Sequence, residues 1–293
     1  MTVSTTVLVT GATGRQGGSV ARRLLAEGRP VRVLVRKAAT ASAAALAAAG
    51  AELAQGDFDD PASLPPAFKD VAAVFAMPPT AISPSGPDTE LEVRRGRALI
   101  DAAAAAGVEQ VVFSTVASGS AAKVRIERHL FDTIALPTVL RPVRFMTNYI
   151  STGMLGIEGI SGGIHRHLFP PHEPMQVVAL EDIADLTALA LAAPERFAGR
   201  TLELAGDQPT PVEAAAAISE ATGIPVRYEQ ITDDEAEALG PVIAEARKRW
   251  RAGHRWHADI EALRVIHPGL RTFADWLNES GAAAIRAHLL AAG

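Results

Sequence analysis

The stretch that most restricts this chain is residues 10–18, TGATGRQGG, which follows the apolar run TVLVT (6–10) and precedes SVARRLLAEG (19–28). Glycine recurs there at positions 11, 14 and 17. A backbone bared at every third residue, between a predicted strand and a predicted helix, meets three separate demands. Gly11 permits a sharp turn, Gly14 lets an anion approach the main chain, and Gly17 lets the helix pack tightly on the strand. The helix start then offers unpaired N–H groups and the positive end of a helix dipole to that anion. Together these features predict a dinucleotide-binding unit at the start of the chain.

The alternation continues. VRVLVR (31–36) precedes ASAAALAAAG (41–50), and AELAQGD (51–57) and VAAVFAM (71–77) precede the long helical run TELEVRRGRALIDAAAAAG (89–107). EQVVFST (109–115), KVRIERHLFDTIA (123–135) and PTVLRP (137–142) repeat the pattern. Strands that are apolar almost throughout, separated by helices, predict an α/β fold: a Rossmann-type doubly wound parallel sheet covered on both faces. Residues 1–150 are expected to form this NAD(P)-binding domain, with 175–206 returning to it through EDIADLTALALAA (181–193) and RTLELAG (200–206). Residues 151–174, rich in Gly, Pro and His, read as loop. With the helical 207–293 they are expected to make a smaller substrate or partner domain.

Composition removes several alternatives. With no cysteine in 293 residues, disulfides, thiolate nucleophiles and Cys-ligated metals are excluded. A hydrophobic content of 48% supports a sizeable core, and a net charge of −5 with interspersed signs argues against nucleic-acid or membrane-surface binding. No uncharged apolar run reaches the roughly 18–20 residues of a membrane span, and MTVSTTVLVTG has no basic leader, so a cytoplasmic protein is expected. His165, His167 and His172 are not read as a metal triad, because no carboxylate cluster accompanies them in the sequence. The basic stretch RKRWRAGHRWH (247–257) reads as a solvated helix face anchored by two tryptophans, with a partner or homodimer surface as the alternative. Asp182 reads as an acid at a helix start.

Beyond these patterns, GATGRQGGSVARRLL (11–25), GDFDDPASL (56–64), KVRIE (123–127), LRPVRFMTN (140–148), APERFAGRTLEL (193–204) and DIEALRVIHPGLRTFADWL (259–277) resemble the NmrA-like family. That family lies within the atypical short-chain dehydrogenase/reductase superfamily, and the resemblance spans nearly the whole chain. It implies cofactor contacts at Thr10, Gly11, Thr13, Gly14, Arg15, Gln16 and Gly17, an adenine contact at Asp57 beside Phe58, and further contacts at Met77, Pro78, Thr115, Lys123 and Pro142. The loop 77–88 would run past the nicotinamide. The second strand ends on Arg36 and Lys37 where an NAD site carries an acid for the ribose hydroxyl. With Arg15, they favour NADP(H), leaving NAD(H) as the alternative.

Tyrosine-dependent members of the superfamily use Ser and Tyr-x-x-x-Lys, the tyrosine protonating a carbonyl oxygen. Ser114 falls at the serine position and Lys123 at the lysine, but Gly119 stands where the tyrosine belongs. Tyr149, after RFMTN, is a substitute donor or a pocket wall. Lys123 has Glu127 one helical turn away as its expected partner; in isoflavone-reductase-like relatives the lysine itself serves as acid and base. These features suit an NAD(P)H-dependent oxidoreductase passing hydride to a quinone or other electron-poor aromatic, whose developing phenolate needs little acid help. The alternatives are a redox-sensing regulator that binds the dinucleotide and a protein partner without turnover, or a tailoring oxidoreductase or monooxygenase-type protein acting on an aromatic natural product.

Overall fold

Seven short strands, six from the first half of the chain and one from beyond it, build the main sheet. They are β1 (Val7–Val9), β2 (Val31–Val35), β3 (Glu52–Gln55), β4 (Ala73–Ala76), β5 (Gln110–Ser114), β6 (Leu136–Pro142) and β7 (Arg200–Leu204). The computed structural model describes residues 5–79, 81–83, 86–117, 119–151 and 157–291. The strands lie in the order β7-β6-β5-β4-β1-β2-β3, and the pairs from β3 through β6 are parallel. The chain winds outward from β1 to β3, then returns beside β1 and winds the other way. Such a reversal opens a crevice at the carboxyl ends of the strands.

Helices α1 (Arg15–Ala26), α2 (Ala41–Ala48), α3 (Thr89–Ala105), α4 (Ala121–Thr133) and α5 (Leu180–Ala192) connect them, with α1 packed on α5 and α3 on α4. Leu8, Val74, Val111 and Phe113 of the sheet share one apolar core with Leu99, Ile100, Ile126 and Leu130 of α3 and α4. Residues Met1–Pro142 and Leu180–Glu203 form this unit, and Val143–Ala179 with Leu204–Gly293 form a second. No helix of the described residues is long and apolar enough to cross a membrane.

The glycine loop is shaped by its own contacts. Gly11 has φ +65, where a side chain would be strained. A Cβ on Gly17 would lie 2.5 Å from the carbonyl carbon and oxygen of Gly11 and 2.7 Å from the oxygen of Thr10. Gly14, by contrast, has φ −94, and a Cβ there would meet only the Gly11 oxygen at 3.3 Å. So Gly11 and Gly17 serve the fold, whereas Gly14 is open on its outer side.

The second unit departs from the sequence reading. Residues 160–167, expected as loop, form a hairpin of Ile160–Ser161 and Ile164–His167, whose second strand pairs with Arg227–Gln230. Gly162 (φ 55) and Gly163 (φ 73) supply the two left-handed positions of a tight hairpin turn. A Gly-Gly pair between short apolar runs is the signal that a loop-like composition concealed. The strand turns both His165 and His167 inward, against the Arg144 guanidinium. Arg144 pairs with Glu158 and donates from Nη2 to the Glu158 carbonyl at 2.8 Å, while its Nη1 and Nη2 lie 3.2 and 3.4 Å from His167 Nε2 and His165 Nε2. A guanidinium only donates, so both imidazoles accept and are neutral. A side-chain cation occupies the place between the histidines and Glu158.

Two predictions follow from this packing. Gly17→Ala should lower stability by about 1–3 kcal/mol through main-chain overlap, whereas Gly14→Ala should change it by less than about 1 kcal/mol; paired thermal melts measure the contrast. The second concerns acid. Burial, reinforced by Arg144, pushes His167 down to about 4 and His165 well below its usual value. Burial alone would raise the Glu158 carboxyl, but the Arg144 guanidinium outweighs it and holds that group low. A depressed histidine pKa means the unfolded chain takes up its proton first, so stability is present above about pH 6.5 and lost as pH falls toward 4. For His167 the slope is about 1.4 kcal/mol per pH unit. Denaturant titrations at pH 7, 6, 5 and 4 should show this decline, with a shallower slope in His167→Gln.

Candidate active site

Strand register brings the sequence-predicted residues of the first unit to one edge. Val9 is level with Phe75, Ala76 with Phe113, and Ser114 with Leu140. The glycine loop, Met77–Pro78, Ser114–Thr115 and Pro142 therefore leave the sheet at its carboxyl side. Thr10 is buried, and its hydroxyl donates to the Met77 carbonyl (3.1 Å) and accepts from the Met77 N–H (2.7 Å). It ties the end of β1 to the end of β4. Met77 lies across Gly11, with its Cε 2.5 Å from where a Cβ on that glycine would stand, and Pro78 is buried beside it. Pro142, also buried, closes the unit and accepts from the Ala117 N–H at 3.1 Å.

At the start of α1, Thr13, Gly14 and Arg15 are exposed, and the N-cap Gly14 provides no side-chain acceptor. First-turn N–H groups have no intrahelical acceptor, so this end is suited to an anion. Gln16 turns inward and donates from Nε2 to Ser114 Oγ at 2.6 Å. Arg36 and Lys37 are exposed just beyond β2, with no acid in their place. Asp57 shapes its own turn: its N–H donates to Ser63 Oγ (2.8 Å), and its Oδ1 accepts from the Asp59 N–H (3.0 Å). Phe58 packs on the first unit's core, and Asp59 is held by Arg95 at 2.7 and 2.6 Å.

Ser114 and Lys123 make buried polar contacts, and the wiring around Lys123 differs from the expected one. Lys123 does not pair with Glu127. Its Nζ is 2.8 Å from Oε1 of Glu92 on α3. Glu127 instead accepts from Thr115 Oγ1 (2.7 Å) and Arg141 Nε (3.1 Å), and Arg141 also pairs with its second oxygen. The i,i+4 spacing put both side chains on one helix face, but the partners offered by β6 and α3 decided the pairing. Glu92, Arg141 and the Gln16–Ser114 bond were not read from the sequence. An acid in the first turn of a helix looks like a dipole complement, and Glu92 carried no other signal.

Gly119, at the tyrosine position, has φ +67, and among the described residues nothing lies within 4 Å of an added Cβ. Its backbone is in a conformation that a tyrosine rarely adopts. Tyr149 belongs to the second unit. It is fully buried, its ring edge-on to His165 (4.9 Å) and tilted on Phe273 (5.4 Å), with the Arg144 guanidinium 5.4 Å from its ring centre. Burial pushes the Tyr149 phenol up.

Comparison with known proteins gives the family and the fold. The model of the NmrA-like family matches residues 3–246. A (4-alkanoyl-5-oxo-2,5-dihydrofuran-3-yl)methyl phosphate reductase of Streptomyces griseus is 31% identical, covering 93% of this chain and 97% of that protein. An NAD(P)H azoreductase of Xenophilus azovorans is 32% identical, over 79% of each chain. Among solved structures, Nmra, a negative transcriptional regulator in complex with NAD, superposes with a TM-score of 0.77 at 21% identity, covering 98% of both chains. The family match spans most of the chain, and the fold is shared with that solved structure: this protein is a member of the NmrA-like family.

Proposed function

We propose that this chain is a nicotinamide-dependent reductase that passes hydride to a quinone or other electron-poor conjugated acceptor. The observation that carries the reading is the site around residues 114–123: no tyrosine, a left-handed Gly119 in its place, and a buried, ion-paired Lys123. A simple ketone becomes a strongly basic alkoxide and needs a strong proton donor in the transition state. A quinone or conjugated acceptor gives a delocalised anion, so proximity and orientation do most of the work. The two relatives named above, reductases of an unsaturated lactone and of azo compounds, favour the same acceptor chemistry.

The glycine loop fits a dinucleotide. Its outer side at Gly14 is open, and a Cβ there would fill the approach to the first turn of α1. We place NADP(H) ahead of NAD(H), because Arg36, Lys37 and Arg15 offer cations where an acid would otherwise exclude a 2′-phosphate. When bound, the nicotinamide supplies the hydride. Thr13–Arg15 main chain would hold the pyrophosphate, and Gln16 keeps Ser114 oriented. Thr115, Glu127 and Arg141 brace the segment leaving β5, and the Lys123 ammonium stands ready to neutralise the reduced acceptor.

Gly14→Val should abolish calorimetrically measured dinucleotide binding with the fold retained. Binding unchanged in that variant overturns the nucleotide site. Charge-assisted contacts contribute about 1.5–3 kcal/mol each, so Arg36→Ala should weaken NADP(H) about tenfold or more and NAD(H) little. Equal loss for both removes the NADP preference. In a panel monitored at the NADPH absorbance, the wild type should reduce quinones and not simple ketones, and Lys123→Ala should lose more turnover than Ser114→Ala. Tight cofactor binding with no turnover across the panel would overturn the reductase reading in favour of a binding protein.

A further inference from the structure

The Lys123–Glu92 pair is shielded from water on both sides, with side chains 8% and 4% exposed. Breaking a pair so buried leaves an uncompensated charge, which is far more costly than losing a surface ion pair. The contact exists because of a glycine. A Cβ on Gly96 would stand 2.6–2.7 Å from three side-chain carbons of Ile126, so α3 and α4 approach closely only because position 96 has none. Glu92 lies one turn before Gly96, and Lys123 one turn before Ile126. Close approach at the glycine therefore brings the acid to the amine at the helix starts, which is the carboxyl edge of the sheet.

Three other groups of α4 that could compete for these partners are engaged elsewhere. Glu127 is held by Thr115 and Arg141, Arg125 pairs with Glu90 of α3, and His129 lies 2.6 Å from Asp101 of α3. Among the described residues, Glu92 is the carboxylate on Lys123. Resting on the reductase reading, we propose that Glu92 is a positioning residue for the reaction, acting through Lys123 by holding its ammonium at the edge where the acceptor is reduced. In the step it supports, the acceptor gains a hydride from the nicotinamide reductant, which is oxidised. The Lys123 N–H bond breaks, an O–H or N–H bond forms on the acceptor, and the neutral amine takes a proton back from water.

The test uses the full chain and Glu92→Gln, which keeps shape and removes charge. Three readouts apply: the pH profile of kcat/KM with NADPH and a soluble naphthoquinone, the rate of acetic anhydride labelling at Lys123 resolved by peptide mass spectrometry, and a cycle with Lys123→Met. The loss of a buried counter-charge favours the neutral amine. The alkaline limb should therefore move at least one pH unit lower, and labelling at pH 7 should rise severalfold. Glu92→Gln should cost about tenfold in kcat at pH 8 in the wild-type background and less than twofold in Lys123→Met, as expected for a residue acting only through its partner. An unmoved limb and unchanged labelling, or an equal loss in both backgrounds, overturns the inference. Full turnover by Lys123→Met overturns instead the role given to Lys123 itself. Should Glu92→Gln fail to fold, Glu92→Asp withdraws the carboxylate by one methylene: a lower kcat with the pH limb in place supports the inference, and an unchanged kcat overturns it.

Discussion

Main chain presses on main chain where α1 leaves the sheet: the first turn of the helix lies against the carbonyls of Thr10 and Gly11, at a distance that admits no β-carbon. Much of the first unit depends on that contact. It sets the height of α1 above β1 and makes Gly14 the exposed corner of the loop. It also allows Gln16 to reach under and bond Ser114, two strands away in the sheet. A looser helix would separate the anion-ready N-terminus from the chemistry-bearing end of β5.

The same device recurs between α3 and α4. There a missing side chain at Gly96 draws two helices together, and the reward is electrostatic: an acid reaches a lysine that its own helix would have paired differently. Close approach built from glycine, with a polar contact made by a nearby residue of the same helix, describes both places. In each, the close approach is the scaffold, main chain on main chain at Gly17 and helix on an isoleucine side chain at Gly96, and a buried hydrogen bond or ion pair is what it positions.

The legible part of this fold was the part governed by local period. Strands such as VLV and QVVFS, buried on both faces, and the glycine triplet announce themselves because their geometry is imposed by neighbours in sequence. The hairpin at 160–167 was hidden because its strands are two and four residues long and its turn glycines resemble loop composition. The site was half legible for a related reason. Ser114 and Lys123 sit at positions a motif can mark, whereas Glu92 and Arg141 come from elements distant in sequence, and only packing decides which acid meets which base. Lys123 and Glu127, four residues apart, looked like a pair until β6 and α3 supplied competing partners.

Gly119 bears on how freely this site can change its chemistry. Its backbone is left-handed, and among the described residues nothing lies within 4 Å of an added Cβ. The obstacle is conformational: an L-residue at φ +67 carries a penalty of about 1–2 kcal/mol and aims its Cβ along a different direction from that of a right-handed residue. Restoring the missing phenol by one codon change would therefore misplace it. To aim a side chain from this position as a right-handed residue would, the segment between β5 and α4 must be re-routed as well, so the absence of a phenol here is a property of the main chain and not of one side chain.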